Sequence, residues 1–304
     1  MENYGIGIDI GGTKTLLIVL DSNQNRVYEK KIPSSKDWKY LIALIKEAIG
    51  ELKITVNDVG GLGLGVASAI EPSTNKVVDA PALGWKLFDL ISNLKPHFSF
   101  PLFIENDVNC ALIAERKMGA AQNCDPVFFI SIGTGLGGAL MVGGNIIHGA
   151  NNMAGEIGYQ LDKDDYKKGK LNLPSQFGTS ENKISGTALR NRFFSSEKFF
   201  EKLGSNDKSA LETFEEFSID LSIMIANAVC LLNPEKVILG GGLSKPLEPY
   251  IETIKEKLAK MTPVPNKIEF SQLGERASAL GAAVISSEEK MLDNLKNLGG
   301  FLKT

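Results

Sequence analysis

With 304 residues, 43% of them hydrophobic and 23% charged, the chain is long enough for two ordinary domains and has the composition of a soluble globular protein. A formal net charge of −3 at pH 7 gives no general attraction for nucleic acid or an anionic membrane, so binding to a polyanion is not the default. Cys110, Cys124 and Cys230 are scattered, with neither zinc-knuckle spacing nor the density of a secreted disulfide scaffold, and read as buried thiols in a reducing compartment.

The first residues enter a strand almost at once, which leaves no room for a signal peptide. The longest nearly apolar region, 127–142, is broken by Ser131, Thr134 and glycines and falls short of the roughly 20 apolar residues that a spanning helix needs. These features predict a cytoplasmic protein. In chain order, residues 4–10 and 16–20 predict a hairpin, 25–32 a third strand, and 39–52 an amphipathic helix with Leu41, Ile42, Leu44, Ile45, Ala48 and Ile49 on its apolar face. A short buried strand is expected at 61–66, a helix at 87–94, a strand at 101–104 and a helix at 108–118 stopped by Gly119.

Residues 127–132 predict another strand, followed by a glycine turn and a further apolar run at 139–142 closed by Gly143-Gly144-Asn145. Strand, Gly-Thr turn, strand has thus occurred twice, about 120 residues apart, a spacing that implies two homologous lobes rather than a repeat array. Residues 162–178 are polar and lysine-rich and read as an exposed loop; 211–232 predict a long helix ended by Asn233-Pro234. Val237-Ile238-Leu239 then leads into Gly240-Gly241-Gly242, and Ser286-Ser287-Glu288-Glu289 reads as a capping box opening a terminal helix.

Two of the glycine stretches mimic familiar nucleotide motifs without their context. Gly133, Gly135 and Gly138 fit a dinucleotide fingerprint, with Glu156 near the acidic position, yet a strand is expected where that motif requires a helix. Residues 7–15 miss a Walker A motif by one position, again with no helix after the turn. A glycine hairpin has its own use: without Cβ atoms the chain can approach a phosphate and point successive amides at it, while Thr13 and Thr134 add hydroxyl donors. Each hairpin alone reads as a tight turn; the pair predicts a clamp on the β- and γ-phosphates of a nucleotide. Asp9, just ahead of the first turn, is placed to reach Mg²⁺ through water or to accept from the turn amides, two roles that can coexist. Lys14 either neutralises phosphate charge or is solvated. Asn106-Asp107 opens a predicted helix, where such a pair is usually a cap and where the helix N-terminus favours an ionised carboxylate.

Asp9-Ile10-Gly11-Gly12-Thr13-Lys14, Glu105-Asn106-Asp107-Val108-Asn109, Ile132-Gly133-Thr134-Gly135-Leu136-Gly137-Gly138, Gly155-Glu156-Ile157-Gly158 and Gly240-Gly241-Gly242 resemble, in this order, the motifs of the ROK family of sugar kinases and sugar-responsive repressors. The resemblance runs from residue 4 to about Gly281. It implies an α/β fold of the actin-like ATPase (ribonuclease H-like) type, two lobes around an interlobe cleft: a small lobe of residues 1–107, completed by a C-terminal helix at 288–304, and a large lobe of residues 108–287. It implies ATP and Mg²⁺ at Asp9, Gly11, Gly12, Thr13, Lys14, Gly133, Thr134, Gly135 and Gly137, with Gly240, Gly241 and Gly242 beside the adenosine. It makes Asp107 the general base and places Asn106, Asp107, Glu156 and Glu181 around a sugar, with Ala67-Ser68 and Gly84-Trp85 as the other wall; for Glu181 a solvated loop position is the competing reading.

The departures are as informative. Many family members have His where Tyr159 stands and then a Cys-rich zinc site, whereas residues 162–185 contain neither Cys nor His, so no structural zinc is expected. His97 and His148 are too isolated to replace it. Ala82 stands where an Asn is frequent. The loss of two polar groups near the sugar leaves room for an N-acetylated or differently configured hexose. The expectation is an ATP-dependent kinase acting on a hexose hydroxyl, glucose O6 first and N-acetylmannosamine or another hexosamine next, as a homodimer by analogy with relatives. A non-catalytic sugar sensor is the rival; a repressor of this kind needs a helix-turn-helix ahead of the first hairpin, and eight residues precede Asp9.

Overall fold

The computed structural model describes residues 3–172, 176, 178–265 and 267–287. Its strands, in chain order among those residues, are β1 (Tyr4–Ile10), β2 (Lys14–Leu20), β3 (Arg26–Pro33), β4 (Val59–Val66), β5 (Val77–Ala80), β6 (Trp85–Phe88), β7 (Leu102–Asn106), β8 (Val127–Ile132), β9 (Leu136–Val142), β10 (Asn145–Ile146), β11 (Lys236–Gly240) and β12 (Ile268–Phe270). They form two five-stranded sheets, ordered β3-β2-β1-β4-β7 and β10-β9-β8-β11-β12, and a β5-β6 hairpin. In the first sheet β1 pairs antiparallel with β2 and parallel with β4; in the second β8 pairs antiparallel with β9 and parallel with β11. Both Gly-Thr turns therefore join hairpin strands, and neither opens a helix. No helix of the described residues is long and apolar enough to cross a membrane.

By its contacts the chain divides into two units, the first holding residues 3–117, 148–153 and 276–287 and the second holding 118–147 and 154–275 among those described. The sequence expectation put the boundary after Asp107, but the helix Asp107–Met118 falls almost wholly in the first unit, as does the helix Ala277–Ser287. The expected terminal helix at 288–304 lies outside the described residues.

Period-two alternation explains the first sheet. Ile6, Ile8 and Ile10 of β1 and Leu62, Leu64 and Val66 of β4 point to one fully buried face, packed with Leu41, Leu44 and Ile45 of the helix Tyr40–Glu51. Each such side chain contributes about 1.5–3 kcal/mol on burial. The opposite face carries Gly5, Gly7 and Asp9 on β1 and Gly61, Gly63 and Gly65 on β4. There the helix Ala277–Ser287 lies directly on the strand backbones: a Cβ on Gly7 would overlap the Ala279 carbonyl and the Ala283 amide, and one on Gly63 the Ala282 carbonyl. The alternating glycines are thus a groove for a helix of small residues.

That helix was not foreseen. Its run Ala-Ser-Ala-Leu-Gly-Ala-Ala-Val-Ile is buried on nearly all sides, so it shows no amphipathic period. Ser286, expected to cap a later helix, lies inside this one, its buried hydroxyl donating to the Ala283 and Ile6 carbonyls; Glu288 and Glu289 lie outside the described residues. Two other expectations change. The helix predicted at 87–94 begins only at Leu90, because Asp89 caps it by accepting the Ser92 amide at 2.9 Å, and Trp85–Phe88 is a strand. The segment after Asp162 is not simply an exposed loop: Asp162 and Asp165 form a capping box for the short helix Lys163–Lys167, and Asp165, 2% exposed, accepts from Lys183 at 2.6 Å.

The second unit is built with larger side chains. Phe128, Phe129 and Ile130 of β8 and Val237, Ile238 and Leu239 of β11 are buried, and Phe214, Phe217, Leu221, Met224 and Ile225 of the helix Lys208–Leu232 fill the core against the sheet. That helix starts at an Asp207 cap and stops where Asn233 takes a left-handed conformation before Pro234.

Candidate active site

In the first unit the site is built where β1, β7 and two helix starts meet. Asp9 shares a face with Gly5 and Gly7, so its carboxylate points towards the helix Ala277–Ser287, and Ser278 Oγ donates to Asp9 Oδ1 at 2.9 Å. Gly65, opposite Asp9 in the register, keeps this contact open: a Cβ there would stand 2.7 Å from Ser278 Oγ and 3.6 Å from Asp107 Cα. Ser278 and Gly65 are functional candidates that the sequence reading missed; the two-residue glycine period of β4 marks Gly65, and nothing local marks Ser278.

Asn106 and Asp107 divide the tasks that the sequence left open. Asn106 is the cap: its Oδ1 accepts the amides of Val108 at 2.8 Å and Asn109 at 3.1 Å, while its Nδ2 donates to the Ser68 carbonyl at 3.3 Å. Among the described residues the Asp107 carboxylate has backbone amides alone for partners, on a residue that is half-buried. Its electrostatics run against the simple helix-terminus expectation. Burial raises its pKa to about 6, outweighing the Val108 amide that favours the charge. Burial first, and then the charge of Asp107, push Asp9 up to about 7 against the opposing hydrogen bond from Ser278. Asp9 thus senses the charge of Asp107, and no cationic side chain is among the groups that shift either carboxylate. Asp9 Oδ2 carries no hydrogen bond from the described residues, a donor set that fits Mg²⁺, which keeps most of its waters and takes few protein ligands.

The first turn stands close by in the chain. Its carbonyls are taken from behind: Ser34 donates its amide to Thr13 at 3.0 Å and its hydroxyl to Gly11 at 2.7 Å. Gly12, Thr13 and Lys14 are exposed, and among the described residues the amides of Gly12 and Thr13 have no acceptor and Lys14 has no ion pair. A Cβ on Gly12 would stand 2.7 Å from that of Ala82, which places the unusual alanine against the turn. Ala67 is exposed; the Ser68 hydroxyl is already engaged, donating to the Ala69 carbonyl and accepting the Asp79 amide.

In the second unit three separate stretches converge on the other turn. The Gly133 and Thr134 carbonyls accept from the first residues of the helix Gly186–Phe193, at 2.7 Å from the Gly186 amide and 3.2 Å from the Thr187 amide. Gly241, with φ +82, is pressed on Ile132, where a Cβ would meet the carbonyl oxygen at 2.5 Å, so Gly240–Gly242 lies against the turn. Thr134 is exposed, and its amide and that of Gly135 have no acceptor among the described residues; Gly137 lies in β9. Glu181 accepts the Leu136 amide at 3.0 Å with one oxygen and the Gly178 amide at 3.1 Å with the other. It therefore braces the turn, and burial raises its pKa despite those amides. Glu156 is half-buried between two glycines that press on β9, and Tyr159 is exposed. Among the described residues no group of three or more His, Cys, Asp or Glu side chains is placed to hold a metal ion.

Comparison with known proteins agrees with this architecture. The chain is 29% identical over 320 aligned residues to a glucokinase of Halalkalibacterium halodurans, covering 95% of this chain and 96% of that one. It is 28% identical to an N-acetyl-D-glucosamine kinase of Pectobacterium atrosepticum, covering 92% and 97%. Among solved structures it superposes with TM-score 0.76 and 25% identity on a ROK family glucokinase of Streptomyces griseus in complex with glucose and AMPPNP, covering 93% and 98%. The ROK family model matches residues 5–289. With that match over nearly its whole length and the two-sheet α/β fold of the actin-like ATPases, the chain belongs to the ROK family.

Proposed function

We propose that this chain is an ATP-dependent sugar kinase in which Asp107 is the general base and a hexose hydroxyl, O6 of glucose first, is the acceptor. The observation that carries the reading is the Asp107 carboxylate: without a side-chain hydrogen bond among the described residues, held by burial at a pKa about 6, and at the N-terminus of its helix. A base for a sugar hydroxyl works best when its pKa lies near the operating pH. The sugar oxygen attacks the γ-phosphorus, its proton passes to Asp107, and the bond from that phosphorus to the β–γ bridging oxygen breaks, its electron pair leaving with ADP.

The remaining residues align and neutralise. The outward amides of Gly12, Thr13, Thr134 and Gly135, with the two threonine hydroxyls, serve the phosphates, Lys14 adds charge, and Gly240–Gly242 serves the adenosine. Asp9 would hold Mg²⁺, which when bound offsets phosphate charge. Asn106, Asp107 and Glu156 serve the sugar hydroxyls; Glu181, with both oxygens on backbone amides, contributes by holding the loop and the turn in place. The relatives' names, glucokinase and N-acetyl-D-glucosamine kinase, support a hexose or hexosamine and keep the N-acetylated sugars as the second choice.

The test is ADP release across a panel of glucose, mannose, N-acetylglucosamine and N-acetylmannosamine with wild type and Asp107→Asn. Turnover with one of these sugars and its loss, by about 10³-fold or more, in a variant that still binds the sugar is expected. Sugar binding without ADP release in the wild type would identify a sensor and end the kinase reading.

A further inference from the structure

Glu105 stands directly before the cap and the base, on the opposite side of β7 from Asn106, and is 7% exposed. Every acceptor position it uses is spoken for. Its Oε1 accepts the Asn106 amide at 2.7 Å and the Asn109 side-chain amide at 2.9 Å; its Oε2 meets His148 Nε2 at 2.7 Å. An ionised carboxylate can only accept, so the imidazole donates. His148 belongs to the segment 148–153, which joins the first unit although its neighbours in sequence belong to the second. A second tie fastens the same segment, Asn152 Nδ2 donating to the Ile70 carbonyl at 2.9 Å, two residues from the Ser68 carbonyl that holds the Asn106 side chain.

We propose that His148 is a positioning residue for sugar binding: through Glu105 it sets the orientation of Asn106 and of the first turn of the helix that carries Asp107. This rests on the kinase reading above. The chain of contacts is short, with its centre, the Asn109–Glu105 bond, buried and its other bonds partly buried. His148 orients Glu105, Glu105 holds the Asn106 main chain and the Asn109 side chain, and Asn106 in turn caps the amides of Val108 and Asn109. Without the imidazole, Glu105 Oε2 is a buried carboxylate oxygen lacking its donor, and the cheapest repair is rotation of the carboxyl towards solvent, which releases Asn106 and Asn109. Among the described residues no hydrogen bond joins the first turn, Gly11–Lys14, to this chain of bonds, so ATP should be indifferent to it.

The experiment compares wild type, His148→Ala and His148→Gln in the full chain, reading steady-state constants for sugar and ATP and hydrogen exchange at the Val108 and Asn109 amides. In His148→Ala the sugar KM should rise about tenfold with kcat changed less than about threefold and the ATP KM within about twofold, and both amides should exchange faster. His148→Gln, whose side-chain amide can still donate to Glu105, should recover most of the loss. A variant that is merely less stable, with sugar KM and amide exchange unchanged, would overturn the inference, as would an equal rise in both KM values. If no sugar is phosphorylated by wild type, the kinase reading fails separately, and exchange at Val108 and Asn109 alone decides whether His148 governs the helix start.

Discussion

The two five-stranded sheets share a pattern, an antiparallel hairpin followed by parallel strands, but are packed in opposite ways. The first clears one face of β1 and β4 of side chains, so that the helix Ala277–Ser287 rests on bare backbone and delivers Ser278 to Asp9. The second fills the corresponding strands with Phe128, Phe129, Val237 and Leu239 and places its glycines mainly at turns. The contrast separates two uses of glycine. In the first unit it lets a helix lie on bare strand backbone and bring Ser278 to Asp9; in the second it leaves turn amides exposed while bulk apolar packing supplies stability.

The sharpest way to break this comparison is to fill the groove. Gly63→Ala should cost about 3 kcal/mol or more, because the new methyl meets the Ala282 backbone and neither strand nor helix can yield cheaply. Denaturant unfolding would show it, and a cost under 1 kcal/mol would mean that the helix does not depend on the groove. Smaller, and opposite in sign, is Asp9→Asn. Asp9 is raised from 3.8 to about 7, so between those values the native state holds a proton that the unfolded chain has released. Its contribution to stability is therefore most favourable at low pH and declines as pH rises to about 7. Asp9→Asn should stabilise the protein by about 1–2 kcal/mol at pH 8 while abolishing turnover, and the gain should vanish near pH 4. Thermal melts at both pH values decide it.

Turnover itself offers a third check. The base must be ionised to accept a proton, so kcat/KM for the sugar should fall about tenfold per pH unit below about 6. A profile flat to pH 4.5 would mean that Asp107 is not pushed up or not the base. The smallest effect belongs to the second unit: a Cβ on Gly242 meets nothing within 4 Å, so Gly242→Ala should move stability by less than about 0.5 kcal/mol. Its consequence, if the turn serves adenosine, is a raised KM for ATP with the sugar KM unchanged.

How much of this was legible depended on whether the signal was local. Strand, turn and strand around Gly11–Thr13 and Gly133–Gly135 were readable from alternation and breakers, and so was the helix start at Asn106-Asp107, since caps and periods act within a few residues. The division of labour between Asn106 and Asp107 was not, because both residues suit a cap. The helix Ala277–Ser287 escaped because burial on all sides erases the period that marks a helix. Glu181 as a brace for Leu136, and His148 as the partner of Glu105, join residues more than 40 positions apart, and nothing near either residue in the chain announces the other.

The order in which the parts of the first sheet are made has its own consequence. The strands that bear the groove leave the ribosome early, whereas the helix that covers it comes after the whole second unit has been synthesised. Until then β1 and β4 present a bare, flat backbone face and Asp9 has no hydroxyl partner, so a nascent chain or a fragment ending before residue 276 is exposed to aggregation and chaperone capture. The contact between Ser278 and Asp9 thus forms last in biosynthesis, and a late nonsense mutation would remove it while leaving the residues of the second unit complete.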